Sequence, residues 1–336
     1  MGRRLASNPT NPDCQAECSC EVNDLSDEVG RVQARMQKPR NISHFSAWML
    51  AARPKTLPAA LAPVIVGSAM AFAHGSFALL PAVAALAVAL LLQIGVNLAN
   101  DYFDCIKGID TAGRLGPVRV TQSGLIPPAQ VKVAMSITLV LVVLPGLYLV
   151  NVGGWPVVVV GAASILAALA YSGGPYPLAS HGLGDLFVFV FFGLVAVCGT
   201  YYVQTLRLTP LVLLMGVNVG LLITAILVVN NLRDIHTDRQ AGKRSLAVMI
   251  GDRGTRTEYT LLLVSAYAIP VILWLCGLAS GWVFLPLVSL PMALSLTRMI
   301  WKAPDGPQLN KTLAGTAKLA LVFSVLLSTG LILSMK

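Results

Sequence analysis

Nine long apolar runs constrain this chain more than any other feature. They fall at 56–73, 78–100, 129–150, 155–171, 183–204, 210–231, 257–279, 281–299 and 313–334. Each approaches the roughly 20 residues a helix needs to cross the hydrocarbon core of a bilayer. The expectation is an all-α integral membrane protein with nine transmembrane helices. Composition agrees, with 56% apolar and 12% charged residues, where soluble domains carry about 25% charged residues. Proline and glycine inside the runs do not argue against helix, because lipid leaves the backbone only internal hydrogen bonds.

The basic residues orient the bundle. With a cytoplasmic N-terminus, the inner segments collect Arg53, Lys55, Lys107, Arg114, Arg119, Lys132, Arg233, Arg239, Lys243, Arg244, Arg253, Arg256, Arg298, Lys302, Lys311 and Lys318, while the outer side receives Arg207 and Lys336. This asymmetry is the one the positive-inside rule requires. It places the chain in the cytoplasmic membrane, with lipid as its surroundings. The formal charge of +9 then belongs to the inner loops and implies a membrane surface or an anionic substrate, not nucleic acid.

Residues 1–44 are of a different composition. They mix acids and bases, lack an apolar stretch of signal-peptide length, and are too acidic for a transit peptide. They read as a disordered cytoplasmic tail with a short helix near 28–37. Residues 45–336 form the membrane domain. Cys14, Cys18 and Cys20 make a CxxxCxC run, yet the tail holds no second half of a tetrahedral metal site.

Two acidic motifs end apolar runs on the inner side: NLANDYFD from Asn97 to Asp104 and NNLRDIHTD from Asn230 to Asp238. On a helix, residues four apart share a face. Asn97 and Asp101, with Gln93 a turn earlier and Asp104 three residues on, form one polar stripe. Asn230, Asp234 and Asp238 form another. As simple markers of helix ends these acids have the wrong charge, because a helix C-terminus is already negative. They also begin at a depth where an ionised side chain costs up to about 2.5–3.5 kcal/mol. A divalent cation offsets both penalties if the two helices are neighbours. Mg²⁺ in particular takes one or two carboxylates and leaves positions for phosphate oxygens.

The loops after the motifs, CIKGIDTAGRLGPVRVTQSG and RQAGKRSLAVMIGDRGTR, bring Lys107, Arg114, Arg119, Arg233, Arg239, Lys243 and Arg244 toward the carboxylates. Beside a bare metal site such cations are counterproductive. Beside a metal-bridged polyanion they are useful, since lysine and arginine hold the outer phosphate oxygens. A diphosphate at a membrane surface, beside helices open to lipid, suggests a lipid diphosphate. Departure of pyrophosphate from an allylic carbon would leave a carbocation, which aromatic faces can shelter. Tyr102, Phe103, Tyr171, Tyr176, Tyr201 and Tyr202 lie near the relevant helix ends, although interfacial tyrosine belts are common.

These motifs resemble the paired aspartate motifs of the UbiA superfamily of intramembrane aromatic prenyltransferases. RPKTLPAALAPVIVG from Arg53, NLANDYFD through GPVRVTQSGLI, GPYPLASHGLGD from Gly174 and NNLRDIHTDRQAGKRSLAV are most similar to its branch that uses 1,4-dihydroxy-2-naphthoate. The resemblance implies nine spans around a central cavity, and the four-helix interval between the two motifs adds an expectation of two pseudo-repeated four-helix bundles plus a ninth helix. It implies that Asp101, Asp104, Asp234 and Asp238 hold Mg²⁺ and, with Asn97 and Asn230, the diphosphate of a polyprenyl diphosphate. Lys107, Arg233 and Lys243 match basic positions near the phosphates, and Tyr171 is the candidate for shielding the cation. Arg53 or Lys55, at the start of the first span, is a candidate for the naphthoate carboxylate. The implied reaction is prenyl transfer with loss of CO₂ and diphosphate, giving demethylmenaquinone.

Two other readings fit parts of the pattern. A cation-coupled transporter also has repeated halves and membrane acids, but there the acids sit near the midplane on broken helices. A sibling prenyltransferase with another acceptor, such as 4-hydroxybenzoate, shares the aspartate motifs, and only the surrounding strings favour naphthoate.

Overall fold

The computed structural model describes residues 42–108, 116, 118–302 and 306–334. The expected tail, its short helix and its cysteine run lie outside these residues up to position 41, as does Arg114. Phe45–Lys336 forms one compact unit, and among the described residues it is entirely helical.

A short helix, α1 (His44–Ala52), leads through a 3₁₀ turn at Pro54–Thr56 into α2 (Leu57–Ala73). Then follow α3 (Leu79–Ile106), α4 (Pro128–Gly153) and α5 (Trp155–Ala170). The second half comprises α6 (Gly184–Thr205), α7 (Pro210–Gln240), α8 (Leu246–Leu275) and α9 (Gly281–Lys302), and α10 (Gly306–Ser334) closes the chain. Eight helical stretches are long and apolar enough to cross a membrane, the first of them joining α1 to α2. The remaining apolar helix, α5, has 16 residues. At 1.5 Å per residue it is about 24 Å long, a few ångströms short of a hydrocarbon core of about 30 Å.

Local signals explain the joints. Thr209 caps α7 by accepting from the Val212 N–H at 3.3 Å, with Pro210 in the first turn. Gly154 is the sole residue between α4 and α5, and its φ of 72° lies in the left-handed region that glycine enters without penalty. α6 contains a π-helical turn at Phe189–Val195. There Gly193 lies on Gly216 and Gly220 of α7, so close that a Cβ would come within 2.6 Å of the Gly216 carbonyl oxygen.

α7 is the axis of the bundle. It packs on α2, α6, α8 and α10, and 67% of its most apolar stretch is buried, against 17% for α4. α4 therefore presents its surface to lipid. The core joins Met70, Met215, Leu222, Tyr259, Leu273, Phe323 and Leu327. In each half the motif-bearing helix packs extensively on its successor, α3 on α4 and α7 on α8, and α7 packs as closely on its predecessor α6. α2 touches both α3 and α7, so the two motifs are held on either side of it.

Candidate active site

Both acidic stripes are helical, because α3 and α7 continue past the apolar runs, to Ile106 and Gln240. All four aspartates are buried, from 1% exposed at Asp101 to 8% at Asp238. Ions at such depth require partners, and each has them.

Around the first motif, Asp101 accepts from the Thr121 hydroxyl at 2.9 Å and from the Val120 N–H at 3.3 Å. Asp104 pairs with Arg119 at 2.9 Å. The segment after α3 thus folds back onto the acids it follows. Asn97 donates to the Ala52 carbonyl and the Thr56 hydroxyl, both at 3.0 Å, and Gln93 donates to the same hydroxyl at 3.1 Å. Asn97 therefore fastens the motif to the entrance of α2. Arg53 sits at that entrance with φ 52°, and its carbonyl accepts from both the Thr56 N–H and hydroxyl at 2.9 Å.

Lys107 donates to the carbonyls of Ser172 at 2.7 Å and Gly174 at 3.3 Å, tying the end of α3 to the segment after α5. Desolvation lowers its pKa, and the Asp104 charge opposes that shift.

Around the second motif, Arg233 makes a two-toothed bond to its neighbour Asp234, at 2.8 and 2.6 Å. The same guanidinium donates to Asn230 at 2.8 Å and to Asn310 of α10 at 2.9 Å. Lys243 approaches Asp238 at 3.7 Å.

The motif helices do not pack extensively on each other. What relates them is Tyr171, which follows α5 and interacts electrostatically with Asp185, with Asp104 of the first motif and with Asp238 of the second. Among the described residues no three histidine, cysteine or acidic side chains gather into one cluster. The aspartates form two separate sets, one per motif. That donor arrangement, buried hard oxygens matched by arginine and lysine, suits divalent ions bridged by a phosphate better than a single ion in a protein cage. A groove of about 750 Å³ along one face of α8, lined by Ile250, Gly254, Glu258 and Leu261 among others, carries neither motif.

Three participants escaped the sequence reading. Thr121 stood inside a quoted string without a role. Asn310 lies far along the chain, with no motif around it. Asp185 closes the GPYPLASHGLGD string and is 6% exposed, and no other residue donates a hydrogen bond to either carboxylate oxygen.

Helices of this order, with two acid motifs on α3 and α7, define a membrane prenyltransferase architecture. Residues 60–325 match the UbiA prenyltransferase family, and the chain belongs to it. The 1,4-dihydroxy-2-naphthoate octaprenyltransferase of Escherichia coli (strain K12) is 40% identical over 301 residues, covering 88% of this chain and 98% of that protein. The protein of the same name from Mycobacterium tuberculosis (H37Rv) is 42% identical, covering 84% and 96%. Among solved structures, a UbiA homolog from Aeropyrum pernix K1 superposes with a TM-score of 0.63 at 17% identity, covering 84% of this chain and 98% of that one. A UbiA homolog from Archaeoglobus fulgidus, bound to DMAPP and Mg²⁺, does so at 0.59 and 14% identity, covering 84% and 99%. At such identities the structures establish the shared fold.

Proposed function

We propose that this protein transfers a polyprenyl group from polyprenyl diphosphate to 1,4-dihydroxy-2-naphthoate, releasing CO₂ and diphosphate. The observation that carries this reading is the pairing of two buried aspartate sets, one per motif, with arginine and lysine. The naphthoate acceptor is supported by the relatives of that name at 40–42% identity.

Asp101, Asp104, Asp234 and Asp238 would hold Mg²⁺, which, when bound, neutralises the diphosphate and makes it a better leaving group. Asn97 and Asn230 hold their motifs in register through Thr56 and Arg233. Arg119, Arg233 and Lys243, now turned to carboxylates, supply cations to the phosphate oxygens, with Lys107 and Arg114 completing the basic set. Tyr171 presents its ring to the allylic carbon as positive charge develops there. Arg53, at the entrance of α2, binds the naphthoate carboxylate.

The prenyl C–O bond breaks and its electrons leave with diphosphate. The ring carbon bearing the carboxylate supplies the pair for the new C–C bond. The bond to the carboxyl then breaks, returning its pair to the ring as CO₂ leaves, and aromaticity is restored. The product is a demethylmenaquinol, and an external two-electron oxidant yields the quinone. The excess of lysine and arginine in the loops beside the motifs supports a site at the cytoplasmic face of the cytoplasmic membrane.

The test is product mass after incubation of the reconstituted protein with Mg²⁺, 1,4-dihydroxy-2-naphthoate and a panel of allylic diphosphates, with 4-hydroxybenzoate in parallel. A prenylated, decarboxylated naphthalene product is expected. Product from 4-hydroxybenzoate alone would overturn the acceptor.

A further inference from the structure

Asp185 is an acid, buried among the described residues, that the chemistry above leaves unused. It stands in the first turn of α6, 6% exposed, and no other residue donates a hydrogen bond to either oxygen. A buried carboxylate with no donor beyond its own backbone is costly, and a partner from outside the polypeptide would offset that cost. Glu258 is within electrostatic reach, but it is another acid and does not neutralise Asp185. Tyr171 is also in reach, and its hydroxyl makes no hydrogen bond among the described residues. The two groups are separated by the turn at Gly184, where a Cβ would lie 3.4 Å from the Tyr171 hydroxyl oxygen.

A carboxylate that no other residue supplies with a donor and a phenol lacking an acceptor are both satisfied by one group that donates and accepts at once. A hydroxyl does so. We propose that Asp185 and Tyr171 form the subsite for a ring hydroxyl of the aromatic acceptor. The acceptor hydroxyl donates to the Asp185 carboxylate and accepts from the Tyr171 phenol, entering beside Gly184. This holds the ring next to the face of Tyr171 and within the field of Asp104 and Asp238. The inference rests on the naphthoate reading above, and it adds the residues that recognise the acceptor.

Steady-state kinetics on Asp185→Asn, Asp185→Ala and Gly184→Ala test it. The Gly184→Ala Cβ meets only ordinary contacts, to Tyr171, Ala179 and Leu227, so this variant folds while narrowing the subsite. In all three, KM for 1,4-dihydroxy-2-naphthoate should rise roughly 10- to 100-fold, with KM for the prenyl diphosphate unchanged. Inhibition by 1-hydroxy-2-naphthoate and 4-hydroxy-2-naphthoate locates the hydroxyl. The parent should bind one of these single-hydroxyl analogues much more weakly than the dihydroxy acid, and Asp185→Ala should lose that discrimination. Thermal stability of the Asp185 variants without substrates should hold or rise, because an unpaired charge has been removed.

Unchanged discrimination in Asp185→Ala would overturn the subsite and leave Asp185 holding a buried water. A parallel rise in both KM values with a fall in stability would also overturn it, as a structural role. A parent that never prenylates dihydroxynaphthoate fails the functional reading itself, which is a different result.

Discussion

Arg233 and Asp234 are sequence neighbours that close a bidentate ion pair, and the arginine side chain is 1% exposed. Asn230 and Asn310 hold the other edges of the guanidinium, so α10 is bonded to the second motif through one side chain. Breaking a buried pair by removing one partner costs about 3–5 kcal/mol. Arg233→Gln should therefore lower the unfolding temperature in detergent and abolish transfer. Arg233→Lys should recover little, since an ammonium cannot reproduce the planar fork. Near-parental stability in Arg233→Lys would mean that the fork geometry does not matter.

Asp101→Asn and Asp234→Asn each remove a carboxylate charge while keeping the side-chain shape. Both should reduce transfer below detection. Both should also remove the stabilisation that Mg²⁺ with pyrophosphate gives the parent in a thermal-shift assay, since a ligand that binds only the folded state raises its stability. Undiminished turnover of either variant in a chelating buffer would refute metal-held diphosphate at these residues.

The sequence placed most of the bundle because span length is fixed by membrane thickness and apolar runs report it directly. It placed the ends less well. Hydropathy stops α3 at 100 and α7 at 231, but the helices continue to Ile106 and Gln240, because helical hydrogen bonding persists where burial within protein replaces lipid. α8 begins at Leu246, eleven residues before its apolar run at 257, and is kinked at Gly251, whose φ is 77°. The acid stripes were legible because they repeat at intervals of four. Their basic partners were legible by charge, Arg119 among them, but their neutral partners were not: Thr121 reaches back from a following segment, and Asn310 meets Arg233 across 77 positions of sequence. No local pattern announces such contacts. Asp185 was visible as a letter in a motif, but its missing donor is a property of three-dimensional surroundings.

Gly193 tests the packing of the π-helical turn. A methyl group there would press on the backbone of Gly216 and Gly220, with the nearest atoms at 2.6 Å, and backbone cannot move aside as a side chain can. Gly193→Ala should destabilise the protein by about 1–3 kcal/mol, the usual cost of overpacking. Gly161→Ala in α5, with nothing within 4 Å of the new Cβ, should leave stability unchanged or slightly raised. Equal unfolding temperatures for the two variants would show that α6 and α7 are not locked together at this crossing.

Cys276 and Cys105 offer a test of the proposed orientation. Cys276 is exposed immediately after α8, and Cys105 is partly exposed at the end of α3 beside the first motif. Counting spans from an inner N-terminus puts α8 on its way out at Leu275 and α3 on its way in at Ile106. In intact cells carrying a variant whose sole cysteine is Cys276, a membrane-impermeant maleimide should label it. In the matching variant whose sole cysteine is Cys105, labelling should require permeabilised cells, and Mg²⁺ with pyrophosphate should slow it, because the thiol lies one residue beyond Asp104. The reverse pattern would place the aspartates outside, where the sixteen inner lysines and arginines counted from the sequence would violate the positive-inside rule.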